Sequence, residues 1–106
     1  MEEDFIQVLV TIDDEDIAKK IAKSVVSKKL AACVQITSPI ESIFTWKGEV
    51  ERSEEWMLLI KSKVSLFDEL EKEIKRLHPY EIPEIITHKI LIGNEDYLEW
   101  MEKNLK

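Results

Sequence analysis

The chain has 106 residues, of which 44% are hydrophobic and 35% are charged. A chain of this length can form an ordinary hydrophobic core, and we expect residues 1–106 to form a single domain. The formal net charge of −7 argues against nucleic-acid binding, which depends on Lys and Arg neutralising phosphates.

Cellular location is predicted from what the sequence lacks. No apolar run approaches the roughly 20 residues of a membrane span, so we expect no membrane partner. Glu2, Glu3 and Asp4 stand where a secretory signal peptide needs basic residues. Cys33 is the only cysteine, which suits a reducing compartment. We therefore expect a cytoplasmic protein.

The beginning of the chain predicts a strand followed by an amphipathic helix. Residues 5–12 form a near-continuous apolar run rich in β-branched side chains, which indicates a central strand. The four acidic residues at 13–16 suit a helix start, where carboxylates accept from free N–H groups and complement the helix dipole. Apolar residues then recur at helical spacing from Ile17 to Val26, so we expect a helix to about Lys28.

The middle of the chain predicts two more strands. Residues 30–36 and 40–46 read as a second strand interrupted at Pro39, a residue that fits a bulge or a sheet edge. Gly48 predicts a tight hairpin turn because glycine readily adopts positive φ. Residues 56–61 predict the third strand.

The last part of the chain predicts helix, strand and helix. Ser65 and Asp68 resemble a capping box before a helix whose apolar face ends at Leu77. Pro79 ends that helix, since proline lacks a backbone N–H and clashes with the preceding turn. Residues 85–92 predict the fourth strand, and residues 94–105 predict a short final helix.

The predicted order is β-α-β-β-α-β plus a terminal helix, which is the ferredoxin-like arrangement, an α+β sandwich. Two helices cover only one face of the four-stranded sheet, yet the first and third predicted strands carry apolar residues on both faces. The uncovered face would expose a larger apolar patch than monomers usually tolerate. We therefore expect copies of the chain to associate through that face, in a number that the patterning does not fix.

Residues 78–84 are the main candidate site. They place the imidazole of His78, the phenol of Tyr80 and the carboxylates of Glu81 and Glu84 between two prolines, on a stiff corner between a helix and a strand. A neutral imidazole can ligate a transition metal beside a carboxylate or phenol. The alternative for His78 is a cation at a helix C-terminus, and the alternative for both carboxylates is a solvated surface position.

Other side chains leave two interpretations open. Cys33 is either a small buried side chain or a ligand for a soft metal. Trp46 is typical of a packing or interface residue, and His88, flanked on its face by isoleucines, predicts a packed histidine. The sequence has no glycine-rich phosphate loop, no Cys-x-x-Cys pair and no nucleophile visibly paired with a base, so we predict no enzyme activity.

Five segments resemble those of a known family in residues, order and spacing. They are Leu-Ala-Ala-Cys-Val at 30–34, Trp-Lys-Gly-Glu at 46–49, Leu-Ile-Lys-Ser at 59–62, Leu-His-Pro-Tyr-Glu-Ile-Pro-Glu at 77–84 and Tyr-Leu-Glu-Trp at 97–100. Through them the chain resembles the CutA (CutA1) family of divalent-cation tolerance proteins over about residues 5–105.

The resemblance implies a homotrimer of ferredoxin-like chains, similar in architecture to PII signalling proteins, that binds copper or another divalent cation and has no established catalytic activity. The metal ligands it implies are His78, Cys33 and Glu81. The residues it implies at the cleft between subunits are Tyr80, Glu84, Lys61 and Trp46.

Two other functions stay open on the sequence alone. One is a PII-like or ACT-like signalling module that binds a small metabolite or a protein partner in the cleft between subunits. The other is an enzyme that uses Glu81, Glu84, Tyr80 and Lys61 as acid–base groups.

Overall fold

The structure is a computed structural model that describes residues 4–106. Its strands are β1 (Phe5–Ile12), β2 (Cys33–Ile36), β3 (Ile40–Trp46), β4 (Glu49–Lys63) and β5 (Ile85–Lys89). Its α-helices are α1 (Glu15–Ser27), α2 (Phe67–Leu77) and α3 (Glu95–Lys103). Glu2 and Glu3, part of the acidic start in the sequence, lie outside the described residues.

The strands form an antiparallel sheet in the order β2-β4-β1-β5. β1 and β4 lie at its centre and pair over their whole shared length, from Phe5 opposite Lys63 to Ile12 opposite Trp56. β3 pairs with residues 49–55 of β4 and forms with them a two-stranded extension, here called the hairpin arm. This order confirms the predicted ferredoxin-like α+β fold with an additional C-terminal helix.

α1 and α2 cover one face of the sheet and enclose the main core. The enclosed side chains from the sheet and the two helices include Val8, Val10, Leu58, Ile60, Ile21 and Leu70, all 0% exposed. Fully burying an aliphatic side chain of this kind contributes about 1.5–3 kcal/mol. This layer is therefore the main source of stability in the single chain.

α3 packs at one end of the opposite face. Its Met101, together with Leu105 just beyond it, joins Phe5 and Ala32 in a second, smaller apolar cluster. Phe5 lies on the face away from α1 and α2, because side chains alternate along a strand and its neighbour Ile6 belongs to the main core. The remainder of this face is called the open face and consists of Gln7, Leu9, Thr11, Cys33, Gln35, Met57, Leu59, Lys61, Ile86 and His88.

The open face is more mixed than the sequence suggested. Leu9 lies between Leu59 and Ile86 in the strand register and forms with them an apolar band across three strands. The next row of the register is polar and consists of Lys61, Gln7 and His88. The predicted packing of His88 is wrong for the single chain, because its side chain is exposed on β5.

The second strand begins later than predicted, at Cys33 instead of residue 30. Lys29 adopts a positive φ of 59°, and the N–H groups of Leu30 and Ala31 both bond to the carbonyl of Val25 at the end of α1. Leu30 and Ala31 are buried in the turn that ends α1. Their hydrophobicity therefore resembled that of a buried strand in the sequence.

Two other predicted strands have the wrong length. Residues 56–61 are only the inner part of β4. Its outer residues 49–55, which belong to the hairpin arm that projects from the sheet, are polar except for Val50. β5 ends at Lys89, three residues short of the predicted end. Leu91 and Ile92 beyond it are 82% and 84% exposed.

The turns and caps test the local predictions. The carboxylate of Asp14 accepts from the N–H of Ile17 at 3.1 Å, which confirms the predicted acidic helix start. Lys47 and Gly48 have φ of 50° and 81°, as a tight hairpin turn with two positive φ angles requires. The predicted capping box at residues 65–68 is wrong, since α2 follows a short 3-10 turn and its first residues receive no side-chain cap.

Candidate functional site

His78 anchors the corner that follows α2. The helix ends at Leu77, and the His78 side chain turns inward until only 7% of the residue is exposed. Its Nδ1 accepts from the backbone N–H of Tyr80 at 3.2 Å, and its Nε2 lies 2.8 Å from the carbonyl oxygen of Thr11. Because a carbonyl oxygen can only accept, Nε2 carries the proton. These two bonds fix the neutral tautomer and fasten the corner to the end of β1.

Tyr80 connects the corner to β4. Its ring meets that of His78 edge-on, with centroids 4.5 Å apart, and its hydroxyl donates to Oε2 of Glu55 at 2.7 Å. Burial, together with the neighbouring Glu55 carboxylate, raises the pKa of Tyr80 well above its ordinary value. The phenol therefore stays protonated at neutral pH and remains a donor.

A cleft of about 850 Å³ opens between the hairpin arm and the corner, and is here called the acidic cleft. The carboxylates that line it are Asp13, Glu51, Glu55, Glu81 and Glu84. Its aromatic and aliphatic walls come from Phe44, Trp46, Tyr80, Ile43 and Ile82. The structure thus brings together four of the residues expected at a site from the sequence: Trp46, Tyr80, Glu81 and Glu84.

Cys33 and Lys61 lie elsewhere. In the register of the sheet Cys33 stands opposite Lys61, and Lys61 stands opposite Gln7. The carbonyl that His78 contacts belongs to Thr11. Thr11 lies four residues beyond Gln7 on β1, a distance of roughly 13 Å at the rise of a strand. The Lys61 ammonium donates to Oε1 of Gln35 at 2.8 Å, and Lys61 is not among the residues that line the acidic cleft.

The three predicted metal ligands do not converge in one chain. Both ring nitrogens of His78 are engaged, Cys33 is at the other end of the sheet, and Glu81 is exposed on the corner. Among residues 4–106 no group of three or more His, Cys, Asp and Glu side chains is placed to hold a metal ion. Ligation by this set therefore requires more than one copy of the chain, and it stays a prediction.

Glu55 is the site residue that the sequence analysis missed. It is only 5% exposed, although it stands in a run of charged residues that resembles solvated surface. Strand alternation was the available signal, because residues 55, 57 and 59 share one side of β4 and the latter two are Met57 and Leu59. A carboxylate on the same side of β4 as those apolar side chains is expected to be buried, unlike the neighbouring carboxylates.

None of the helices within residues 4–106 has the length and apolar character needed to traverse a bilayer.

The sequence aligns with curated proteins along nearly its whole length. Residues 6–104 match the family model of the CutA1 divalent ion tolerance protein. The chain is 43% identical to the divalent-cation tolerance protein CutA of Thermus thermophilus, over 92% of this chain and 94% of that protein. It is 42% identical to the protein CutA of Homo sapiens over 89% of this chain, but spans only about half (52%) of the human protein's length.

Solved structures share the fold. The divalent cation tolerance protein (Cut A1) of Thermus thermophilus superposes with a TM-score of 0.94 at 41% identity, over 96% of this chain and 99% of that chain. A structure from Archaeoglobus fulgidus, described as a periplasmic divalent cation tolerance protein CutA, gives a TM-score of 0.93 at 33% identity, with 96% and 99% coverage. The chain belongs to the CutA1 divalent ion tolerance protein family.

Proposed function

We propose that the protein acts as a cytoplasmic homotrimer in the response to divalent cations, by binding and without catalysis. Membership of the divalent ion tolerance family supports the cation response. The observation that carries the assembly is the open face, where the apolar band of Leu9, Leu59 and Ile86 is left uncovered by the chain's own helices. Exposed apolar surface of this kind marks a protein interface.

The outer strands support association in a ring. β3 pairs only with β4, and β5 pairs only with β1, so each leaves one edge without a strand partner within residues 4–106. Exposed apolar side chains lie on or beside these edges, namely Ile43, Phe44, Leu91 and Ile92. Unpaired strand edges readily add a strand from another chain. Because the two edges differ, pairing one with the other is head-to-tail, and head-to-tail contacts form a ring when the rotation between copies closes.

Copper or another divalent cation is proposed to bind where copies meet. Glu81 makes no hydrogen bond or ion pair with the residues that the structure describes, so its carboxylate is available to a cation. Cys33 offers a thiol at the other end of the sheet, which can meet Glu81 only across an interface. His78 can join them only by releasing Thr11 or Tyr80.

Calorimetric titration of the assembled protein with copper tests the cation site. We expect Glu81→Gln to weaken binding about tenfold or more, since loss of a charged ligand removes both a donor oxygen and a compensating charge. Glu54→Gln is the matched control, because it removes the same charge from the hairpin arm outside the cleft lining. Equal copper affinity of the two variants would refute the role of Glu81.

A further inference from the structure

The outer side of α1 and α2 carries a concentration of positive charge in an acidic protein. The chain has a net charge of −7, yet residues 15–29 and 67–77 contain more Lys and Arg than Asp and Glu. The excess negative charge therefore lies on the rest of the molecule. Five exposed cations of the two helices and their ends are here called the basic patch: Lys20, Lys23, Lys28, Lys72 and Arg76.

Glu73 is the carboxylate that joins the cations of the two helices. It accepts from the Arg76 guanidinium at 2.6 and 2.9 Å, and the Lys28 ammonium lies 3.0 Å from it. The bonds from Arg76 and then from Ser24 lower the pKa of Glu73 far below its ordinary value, so the carboxylate stays ionised. Its single charge balances only one of the two neighbouring cations, which leaves this part of the surface net positive.

Three further lysines extend the patch. Lys20 lies four residues before Ser24, and Lys72 lies four residues before Arg76, so each is next to a hydrogen-bond donor of Glu73 on its helix surface. Lys23 lies three residues after Lys20 and is its neighbour on α1. Within residues 4–106 none of these three lysines forms an ion pair with a carboxylate.

The other carboxylates of α1 and α2 do not neutralise the basic patch. Asp16 and Asp68 lie in the first turns of their helices, where negative charge complements the helix dipole. The remaining three are paired with lysines outside the patch, as Glu15–Lys19, Glu69–Lys106 and Glu71–Lys75. The positive charge of the patch is therefore available to a partner.

The position of the basic patch keeps it accessible in an assembly. α1 and α2 cover one face of the sheet, whereas the association proposed above uses the other face. Val26 is 40% exposed on α1, three residues after Lys23, and offers an apolar contact beside the lysines. Each chain of an assembly would therefore present the patch to solvent.

The layout of the charges favours a short, extended anion. Lys20 and Lys28 are roughly 12 Å apart along the helix at 1.5 Å per residue, so one phosphate or carboxylate group cannot contact both. Nucleic acids and anionic membranes reach beyond the patch, where the net negative charge of the molecule repels them. A short acidic peptide segment mainly experiences the charges within a Debye length, about 8 Å at physiological salt.

We propose that the basic patch docks an acidic segment of a partner protein, whose carboxylates pair with Lys20, Lys23 and Arg76 beside an apolar contact with Val26. This partner goes beyond the response to divalent cations, and its site uses residues of a single chain. An assembly would offer one such site per chain, so a partner with several acidic segments would bind more tightly than a single segment.

Fluorescence anisotropy with a short labelled peptide of repeated Glu-Ala, at about 0.15 M ionic strength, tests the proposal on the full chain. We expect saturable binding of one peptide per chain and no binding of the corresponding Gln-Ala peptide. The double substitution Lys20→Gln and Lys23→Gln should weaken binding about fivefold or more, since two ion pairs with the peptide are lost. Both lysines are exposed, so the fold is retained.

A matched double variant makes the test specific. Lys47→Gln with Lys103→Gln removes the same charge from exposed positions on the hairpin turn and α3, and should change the affinity less than about twofold. Equal weakening by the two double variants, or no saturable binding, would overturn the proposal. Tighter binding to phosphatidylserine vesicles or to an oligothymidine than to the acidic peptide would also overturn it. These outcomes depend neither on the copper titration nor on the mass of the assembly.

Discussion

His78 uses both ring nitrogens within its own chain, at Thr11 and at Tyr80. These two bonds hold the corner at residues 78–84 in place within the single chain. The corner in turn fixes where the Tyr80 hydroxyl, the Glu55 carboxylate and the exposed Glu81 lie. Single side chains thus determine the shape of the acidic cleft.

We expect His78→Ala to lower the free energy of unfolding by about 2–3 kcal/mol. The substitution leaves the Thr11 carbonyl and the Tyr80 N–H without partners and opens a cavity at a buried position. Lys72→Ala is the control, because Lys72 is exposed on α2, away from the open face, and should change the stability by less than about 0.5 kcal/mol. Urea unfolding at equal protomer concentration measures both, and equal stability would contradict the anchoring role.

Tyr80→Phe tests the bond to Glu55. Removing the hydroxyl leaves a buried carboxylate with no hydrogen-bond donor, so we expect a loss of about 1–3 kcal/mol in unfolding free energy. Tyr97→Phe is the comparison, since Tyr97 is 37% exposed on α3 and should lose less. If thermal or urea unfolding ranks the two variants in the reverse order, the Tyr80–Glu55 bond is not a main constraint on the corner.

The site was predictable where its residues are consecutive. Residues 78–84 carry their chemistry in one run, and the prolines mark it as a corner. Glu55 was not predictable in the same way, since its partner Tyr80 is 25 positions away and its neighbours Glu51 and Glu54 are exposed. The separation of Cys33 from His78 is a property of strand register, which residue identities alone do not specify.

At the scale of elements, Glu73 joins the two covering helices. It lies on α2 with 8% exposure, and its carboxylate receives hydrogen bonds from Arg76 of the same helix and Ser24 of α1, with the Lys28 ammonium 3.0 Å away. The bonds from Arg76, followed by that from Ser24, lower the pKa of Glu73 far below its ordinary value of 4.5. The contact between α1 and α2 is therefore stabilised by the Glu73 carboxylate as well as by the apolar core.

A lowered pKa gives a definite pH dependence. The stabilisation from Glu73 is fully present above pH 4.5, the ordinary pKa, and is lost as the pH falls towards the folded-state pKa. We expect Glu73→Gln to be less stable than the parent at pH 7 and to lose less stability on acidification below pH 4.5. Glu71→Gln, which breaks only the partly exposed pair with Lys75, is the control.

Thermal unfolding from pH 7 to pH 3 measures this difference. Parallel pH profiles for the parent and the Glu73→Gln variant would contradict the contribution of the carboxylate.

Element types followed from the sequence more reliably than their ends. The strand at residues 5–12 and all three helices were predicted because their apolar period is regular. Residues 40–46 were predicted as the continuation of the second strand, but they form a separate strand, β3. The errors lie where burial and strand pairing do not coincide. Leu30 is buried in a turn, residues 49–54 pair in a strand without being buried, and Leu91 is apolar but lies beyond the end of β5. In each case tertiary context overrides the local pattern.

At the scale of the whole molecule, the sheet has more apolar surface than its own helices cover. α3 closes only the end of the open face near Phe5, and the chain's own helices leave the band around Leu9 uncovered. The sequence indicated this imbalance through the two apolar faces of β1. The polar row of Gln7, Lys61 and His88 beside the band was not anticipated, and it makes the proposed interface part apolar and part hydrogen-bonded.

Ile86→Asp should disrupt the proposed assembly. Ile86 is 48% exposed in the apolar band, and a carboxylate there would have to lose its water on association, at a cost of several kcal/mol. Val26→Asp is the control, because Val26 is similarly exposed, at 40%, but lies on α1. Light scattering after gel filtration should give a single-chain mass for the first variant and the assembled mass for the second.

Sedimentation equilibrium at low micromolar concentration tests most directly whether copies close over the open face. Three chains of 12.4 kDa each predict a particle of about 37 kDa. A well-folded species of 12.4 kDa under the same conditions would contradict the assembly, and with it the cation site proposed where copies meet.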